Sequence, residues 1–181
     1  MATDISKTVL VTGASGYIAG WIVKYLLEEG HTVHATVRDP AKQSSVSHLL
    51  KIAEHSKGIL KLFKADLLTK GSFNEAMQGC DIVIHTASPF VLDGFTDANE
   101  ALVRPALEGT RNVLNSVDQC PSVQRVVLTS SVAAIYGDNE DILKVINPAD
   151  EDRNRSEFVA KSRVALPEPD KWRETLKVGR V

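Results

Sequence analysis

Small residues recur at fixed spacing where a short apolar run ends, a pattern that suits the binding of a phosphate chain. The run and the turn after it, residues 9–20, read VLVTGASGYIAG. Gly13 would let the chain turn sharply off a strand, and Gly16 would let the backbone approach phosphate oxygens without a Cβ in the way. Ala19 would keep the following helix close to the strand, and the helix start offers unpaired N–H groups to an anion. The segment predicts a site for the pyrophosphate of a dinucleotide, with an ordinary strand–turn–helix as the alternative.

The composition is typical of a soluble globular protein and excludes several classes of function. The chain has 181 residues, of which 43% are apolar and 24% charged, so one domain is the default. Its net charge of -2 gives no electrostatic reason to bind nucleic acid or acidic lipid. The apolar runs are too short to span a membrane, and the N-terminus lacks a signal-peptide core. Cys80 and Cys120 lack metal-ligand spacing and are expected to be buried, reduced thiols, which favours a cytoplasmic protein.

Apolar runs alternate with amphipathic segments along most of the chain. Strands are expected at residues 7–12, 32–37, 59–64, 81–85 and 125–129. Helices are expected at residues 17–29, from Pro40 onward, at 72–77 and at 99–120. This alternation predicts an α/β protein with a doubly wound parallel sheet in the order 3-2-1-4-5 and right-handed crossovers.

The first helix carries apolar side chains that should face the sheet. Ile18, Ile22, Tyr25 and Leu26 are expected to share its buried face. Trp21 is interpreted as a packing residue on the same helix rather than as a cofactor stack.

Six segments between residues 7 and 137 carry a resemblance to a known family. They are VLVTGASGYIAG at 9–20, HTVHATVRDP at 31–40, KADLL at 64–68, DIVIHTASPF at 81–90, GTRNVL at 109–114 and RVVLTSSVAAIYG at 125–137. They resemble the extended short-chain dehydrogenase/reductases of the NAD-dependent epimerase/dehydratase superfamily, and more narrowly the dihydroflavonol, cinnamoyl-CoA and ketone/aldehyde reductases. The resemblance implies a Rossmann-type fold and a reductase that moves a hydride from NADPH to an aldehyde or ketone.

The resemblance also assigns residues to parts of the cofactor. It places Gly13, Gly16 and Ala19 at the pyrophosphate, with Tyr17 and Ile18 beside it.

The two ends of the cofactor are assigned to the ends of later strands. Asp66 would accept a hydrogen bond from the adenine amino group, or else serve as a strand-end cap, and Leu67 would pack on the ring. After the fourth strand, the nicotinamide ribose would be lined by Thr86, Ala87 and Ser88. The substrate wall would begin with Ser88, Pro89 and Phe90. Ser130, after the fifth strand, is a further implied cofactor contact.

Two basic residues after the second strand favour NADPH over NADH. Arg38 stands where an NAD-preferring site would carry an acid, and its guanidinium can bind the adenosine 2′-phosphate in a bidentate manner. Lys42 is at the family spacing for a second phosphate contact. Asp39 weakens this prediction slightly, and the alternative is that both cations are simply solvated.

The resemblance assigns the catalytic serine to Ser131, whose hydroxyl would orient the substrate carbonyl. The family's chemistry also needs a Tyr and a Lys at YxxxK spacing, because the ammonium lowers the pKa of the phenol. The chain has three tyrosines, and the residues four positions after them are Trp21, Glu29 and Glu140, so this motif is absent from the sequence. His85 has no partner at readable spacing and is interpreted as a structural imidazole.

The character of the sequence changes beyond residue 137. We expect a dinucleotide-binding domain over residues 1–144 and a divergent, mobile tail over 145–181, because the tail is charged and broken by prolines. The lack of a sixth-strand pattern predicts an incomplete sheet whose fifth strand invites self-association. A truncated, frameshifted or alternatively spliced reductase is inferred, with genuine divergence as the alternative.

Three functions remain open from the sequence. The first is a reductase of aldehydes or ketones in an impaired form. The second is a dinucleotide-binding module without chemistry, favoured by the absent YxxxK pair. The third is a related epimerase or dehydratase, which binding of a sugar nucleotide would indicate.

Overall fold

The computed structural model describes residues 6–89, 94, 96–97 and 99–131. Residues 6–128 belong to one compact unit that holds the whole sheet, and residues 129–131 belong to a second unit. The predicted boundary at residue 144, the predicted tail and Phe90 lie outside the described residues. Those expectations therefore stay predictions.

Five parallel strands form one sheet in the order β3-β2-β1-β4-β5. The strands are β1 Thr8–Thr12, β2 Thr32–Val37, β3 Ile59–Lys64, β4 Ile82–His85 and β5 Arg125–Leu128. β1 is central, with Val11 paired to Ala35 of β2 on one side and to Ile84 of β4 on the other. The predicted doubly wound α/β fold and strand order are confirmed.

The helices follow the predicted alternation. They are α1 Tyr17–Glu28, α2 Gln43–Glu54, α3 Asn74–Met77, a π-helical segment Asn99–Val103 and α4 Arg104–Asp118. Two of them, α2 and α3, begin later than expected. The expectation that α2 begins at Pro40 was wrong. Asp39 Oδ1 accepts the Ala41 N–H at 3.0 Å, and the Asp39 carbonyl accepts the Lys42 N–H at 3.3 Å. These bonds close a turn before the helix.

Each face of the sheet has its own apolar core. On one face Val9 and Val11 of β1 pack with Val23 and Leu27 of α1 and with residues of α2. On the other face Leu10 belongs to a core with residues of α3 and α4. β1 is buried on both faces because successive strand residues point to opposite sides, which is the pattern of a central parallel strand.

The buried face of α1 differs from the expected one. Ala19 and Val23 are buried, whereas Ile18 is 62% exposed and Tyr25 is 59% exposed. The expectation was therefore wrong for Ile18 and Tyr25. The small Ala19 lets the helix axis come close to the sheet, and the larger side chains beside it then turn outward.

Both cysteines lie in the core beneath α3 and α4, as expected. Cys80 and Cys120 are free and buried. The Cys120 thiol donates to the Met77 carbonyl at 3.1 Å. Burial, reinforced by the neighbouring Cys120 and Asp81, raises the pKa of the Cys80 thiol to about 12.

β5 is the last strand of the sheet, and its side chains are poorly covered. Val127 is 46% exposed and Leu128 is 41% exposed. Within the described residues no strand pairs with the outer edge of β5. An uncovered edge of this kind can pair with another chain. Self-association through β5 stays a prediction.

None of the helices in the described ranges is long and apolar enough to cross a bilayer. The same ranges contain no cluster of three or more His, Cys, Asp or Glu side chains that could hold a metal ion.

Candidate functional site

A cleft of about 510 Å³ opens at the carboxyl ends of β1, β2, β3 and β4. We call it the strand-end cleft. It is lined by Gly13, Ser15, Gly16, Thr36, Val37, Arg38, Ala65, Asp66, Leu67, Leu68, Phe73, Thr86, Ala87, Ser88, Pro89 and Pro105. In open parallel sheets ligands bind at this position, where neighbouring crossovers leave in opposite directions.

The turn after β1 forms one wall of the cleft and needs glycine. Gly13 has φ +66°, and a Cβ on it would lie 3.0 Å from the Ala87 Cβ. Its carbonyl accepts the Gly16 N–H at 2.9 Å, which closes the turn. A larger residue at Gly13 would be strained and would push the segment after β4 away.

The start of α1 is open to an anion, because no side chain of the helix competes for its N–H groups. Gly16 precedes the helix, no side chain caps the first turn, and that turn holds no acidic residue. Backbone N–H groups at such a terminus attract negative charge. Ala19 is buried, so its part is to seat the helix on the sheet. Tyr17 is 83% exposed and lines a second, shallower cavity of about 400 Å³ between α1 and α2.

A hydrogen-bonded cluster joins the ends of β1 and β4 beneath the cleft. Thr12 Oγ1 accepts the N–H of Thr86 at 3.1 Å and the N–H of Ala87 at 3.0 Å. It also lies 2.7 Å from His85 Nδ1. The Thr86 hydroxyl donates to the Thr12 carbonyl at 2.6 Å. We call these four residues the threonine clamp. The clamp fixes where Thr86 and Ala87 enter the cleft wall.

The hydrogen bonds of the clamp fix the tautomer of His85, and burial keeps its imidazole neutral. Both lone pairs of Thr12 Oγ1 are occupied by N–H groups, so its hydroxyl hydrogen must point to His85 Nδ1. Nδ1 therefore accepts, and the ring proton is assigned to Nε2. Burial lowers the pKa of His85 to about 4, which keeps the imidazole neutral near pH 7. The structural interpretation of His85 agrees with this geometry.

A second buried histidine, His34, is a residue of β2. His34 Nδ1 is 2.7 Å from the Ala76 carbonyl, and its ring packs on Phe63 with 4.8 Å between centroids. Burial lowers the pKa of His34, and Lys61 adds to the effect against the opposing bond to Ala76. This imidazole connects β2 to α3 rather than to the cleft.

The basic corner of the cleft contains Arg38 without a carboxylate partner. Arg38 is exposed, lines the cleft and forms no ion pair with any residue of the described chain. Asp39 does not neutralise it, because its Oδ1 accepts the Ala41 N–H. Lys42 is exposed at the residue before α2 and is outside the cleft lining.

The wall after β3 presents a carboxylate and an apolar side chain. Asp66 Oδ1 accepts the Leu68 N–H at 2.8 Å, which forms a local Asx turn. The second carboxylate oxygen of Asp66 has no hydrogen-bond partner in the described part of the chain. Leu67 lines the cleft beside it.

The structure brings together eight of the predicted cofactor residues in the cleft lining. They are Gly13, Gly16, Arg38, Asp66, Leu67, Thr86, Ala87 and Ser88. Ile18, Tyr17, Ala19 and Lys42 are not in that lining. Ser130 and Ser131 follow β5 after Thr129, belong to the second unit and are not in the cleft lining.

Sequence reasoning missed Thr12, which holds the cleft wall without lining it. Its signal was a hydroxyl at the last position of a buried apolar strand. Ser15, Thr36, Phe73 and Pro105 also line the cleft and were not predicted. They come from four separate segments, and nothing in their spacing marks them.

Comparisons with known proteins agree with this geometry. The family model described as NAD dependent epimerase/dehydratase family matches residues 9–164, past residue 144, where the resemblance was expected to end. A cinnamoyl-CoA reductase of Medicago truncatula is 53% identical over 134 residues, which are 74% of this chain and 40% of that protein. A dihydroflavonol 4-reductase of Gerbera hybrida is 42% identical over 142 residues, which are 78% and 38% of the two chains.

Solved structures show the same relationship. The yeast methylglyoxal/isovaleraldehyde reductase complexed with NADPH matches with TM-score 0.65 and 27% identity, over 94% of this chain and 55% of that one. Vestitone reductase from alfalfa matches with TM-score 0.60 and 26% identity, over 96% and 54%. The chain spans about 40% of the length of the curated relatives it matches.

The relatives named here are reductases, and one of them is solved with NADPH. The family match covers most of the chain and includes the whole lining of the cleft. It also includes every strand residue except Thr8 at the start of β1. By sequence, fold and cleft, the chain belongs to the NAD-dependent epimerase/dehydratase family.

Proposed function

We propose that this chain binds NADPH in the strand-end cleft, as part of a reductase acting on an aldehyde or ketone. One observation carries the proposal: a single cleft joins the glycine turn, the Arg38 guanidinium, the Asp66 carboxylate and the Thr86–Ser88 segment. These groups match the successive parts of a dinucleotide, namely pyrophosphate, 2′-phosphate, adenine and nicotinamide ribose. When bound, NADPH would supply the hydride.

The residues hold the cofactor by different physical means. Backbone N–H groups at the start of α1 would bind the pyrophosphate, with Tyr17 and Ile18 flanking it. The free oxygen of Asp66 would accept from the adenine amino group, and Leu67 would cover the ring. The threonine clamp would hold Thr86, Ala87 and Ser88 against the nicotinamide ribose.

Arg38→Ala is expected to weaken NADPH binding by about 1.5–3 kcal/mol and to leave NADH nearly unchanged. The guanidinium has no hydrogen-bond or ion-pair partner among the described residues, which leaves it available to a 2′-phosphate. Titration of both cofactors into the variant measures the difference. Arg111→Ala, an exposed arginine on α4, is the matched control and should change neither affinity. Equal losses for the two cofactors would contradict the role of Arg38.

Lys42 is proposed as a second contact to the same phosphate. It lies outside the cleft lining, and a lysine reaches a phosphate as a point charge on a flexible stem. A smaller loss for Lys42→Ala than for Arg38→Ala supports this assignment, and no loss at all contradicts it.

Catalysis by this polypeptide is expected to be no more than a trace. We propose that Ser131 orients the substrate carbonyl, but no tyrosine of the chain has a lysine four residues later to make it a proton donor. Loss of a general acid costs on the order of 10²–10⁴-fold in rate. NADPH consumption with a panel of aldehydes and ketones tests this, alongside a binding titration that confirms cofactor uptake. Robust turnover that is abolished by Ser131→Ala would mean that another residue supplies the proton.

The second candidate is a module that holds NADPH without chemistry, and the absent YxxxK spacing favours it for this polypeptide. Binding without turnover in the same assay is its expected result. A cytoplasmic location is proposed for either function, supported by the two free buried thiols.

A further inference from the structure

Asn112 is a buried amide on the inner face of α4 whose hydrogen bonds all go to one loop. It is 8% exposed. Its Nδ2 donates to the Leu67 carbonyl at 3.1 Å and to the Thr69 carbonyl at 2.6 Å. Its Oδ1 accepts the Gly71 N–H at 2.8 Å. One side chain therefore satisfies three backbone groups of the loop that follows β3.

The Ala65 N–H at the start of that loop bonds to the Val37 carbonyl of β2 at 3.0 Å, and further polar contacts lie within the loop. Ser72 Oγ donates to the Asp66 carbonyl at 2.7 Å and accepts the Asp66 N–H at 3.2 Å. The Thr69 N–H bonds to the Asp66 carbonyl at 3.1 Å. The bonds within the loop give it its shape but do not set its place relative to the sheet. The amide of Asn112 is the polar group that ties it to a long helix.

Gly109 lies one turn before Asn112 and meets the same loop. A Cβ on Gly109 would stand 3.0 Å from the Leu67 Cβ and 3.1 Å from its Cδ2. Residues three apart on a helix share a face, so Gly109 and Asn112 form one seat for Leu67. Gly109 determines how closely the Leu67 side chain can approach α4. Asn112 holds the Leu67 carbonyl by a hydrogen bond.

We propose that Asn112 is a positioning residue that makes the strand-end cleft selective for adenine over bases lacking the exocyclic amino group. The inference rests on the proposed function, in which Asp66 accepts from that amino group. Asp66 is the residue before Leu67 and is oriented by the Leu68 N–H. A shift of Leu67 therefore moves the carboxylate that reads the base. Asn112 itself does not line the cleft.

The test compares NADPH with nicotinamide hypoxanthine dinucleotide phosphate, which carries an oxygen in place of the adenine amino group. The wild type is expected to prefer NADPH by about tenfold. Asn112→Asp keeps the acceptor for Gly71 but sets an oxygen against two carbonyls. It should lower NADPH affinity by about tenfold while changing the hypoxanthine analogue less than about threefold, so that the preference is lost. Asn115→Asp, at an exposed position of the same helix, should keep both affinities.

A second variant covers the case in which Asn112→Asp does not fold. Gly109→Ala leaves Asn112 intact, favours the helix and pushes Leu67 outward. It should reduce the preference in the same direction. A folded variant of either kind that keeps the wild-type preference, or that loses affinity for both nucleotides equally, overturns the inference. A wild type that binds both nucleotides equally contradicts the adenine role of Asp66, and the inference falls with it.

Discussion

Thr12→Val is expected to lower the free energy of unfolding by about 3–5 kcal/mol. Valine has nearly the shape of threonine, so the core volume is preserved. The change leaves His85 Nδ1 and the N–H groups of Thr86 and Ala87 without the oxygen that joins them. A buried group left unsatisfied, here His85 Nδ1, costs about 1–3 kcal/mol, and the two N–H groups, which are only partly buried, are expected to cost about 1 kcal/mol each. Urea unfolding gives the change directly.

Thr12→Ser is the matched control because it keeps the hydroxyl and loses only a methyl group. It should cost about 1 kcal/mol. Cofactor affinity should follow the same order, because the clamp holds Thr86 and Ala87 in the cleft wall. If Thr12→Val is as stable as Thr12→Ser, the clamp does not carry the stability that its geometry indicates.

Between pH 6.5 and pH 4 the wild type should lose about 3 kcal/mol of stability that His85→Asn does not lose. In the folded protein burial lowers the pKa of His85 to about 4 from its ordinary value of 6.5. As the pH falls through this window, the unfolded chain takes up a proton before the folded chain does. Stability is therefore complete above pH 6.5, declines toward pH 4 and changes no further from this group below it.

Asparagine is chosen because its Oδ1 can accept the Thr12 hydroxyl in place of Nδ1, without titrating. Denaturant unfolding at a series of pH values compares the two proteins. His55→Asn, at an exposed position after α2, serves as the matched control and should follow the wild type. Parallel stability curves for wild type and His85→Asn would show that His85 is protonated at the same pH in both states.

The strands were predictable because their patterns leave little choice. Each of the five observed strands lies within one residue of the predicted bounds at either end. Buried parallel strands appear as short runs of β-branched and apolar residues, and Gly13 directly marks the end of β1.

The face of α1 was not predictable from periodicity because two neighbouring stripes are both apolar. One stripe contains Ile18 and Tyr25, and the other contains Ala19, Val23 and Leu27. They differ by one residue, or about 100° around the helix. Because α1 lies close to β1, the stripe that contains the small Ala19 is the one that faces the sheet. How closely the helix approaches the strand depends on the packed structure and not on the periodicity of the sequence.

The role of Asn112 was hidden for a different reason. Gly109, Asn112, Val113, Ser116 and Val117 are all buried on α4, with the spacing of one helical stripe. An amide inside an inward-facing stripe indicates a buried polar contact, so the sequence contained a signal. Its partners are backbone groups of a loop about 40 residues earlier, and backbone groups leave no trace in side-chain patterns.

The two thiols can report on local opening of the layer that α3 and α4 form on one face of the sheet. The reactive form of a cysteine is the thiolate, and a pKa of about 12 leaves roughly one Cys80 in 10⁵ ionised at pH 7. Both cysteines of the chain are buried beneath α3 and α4. An alkylating reagent can therefore react only when that layer separates from the sheet, and its rate measures the local opening equilibrium. Trp21 on α1 is 45% exposed on the opposite side, so in a variant that lacks Trp172, the other tryptophan of the chain, its fluorescence would follow that layer.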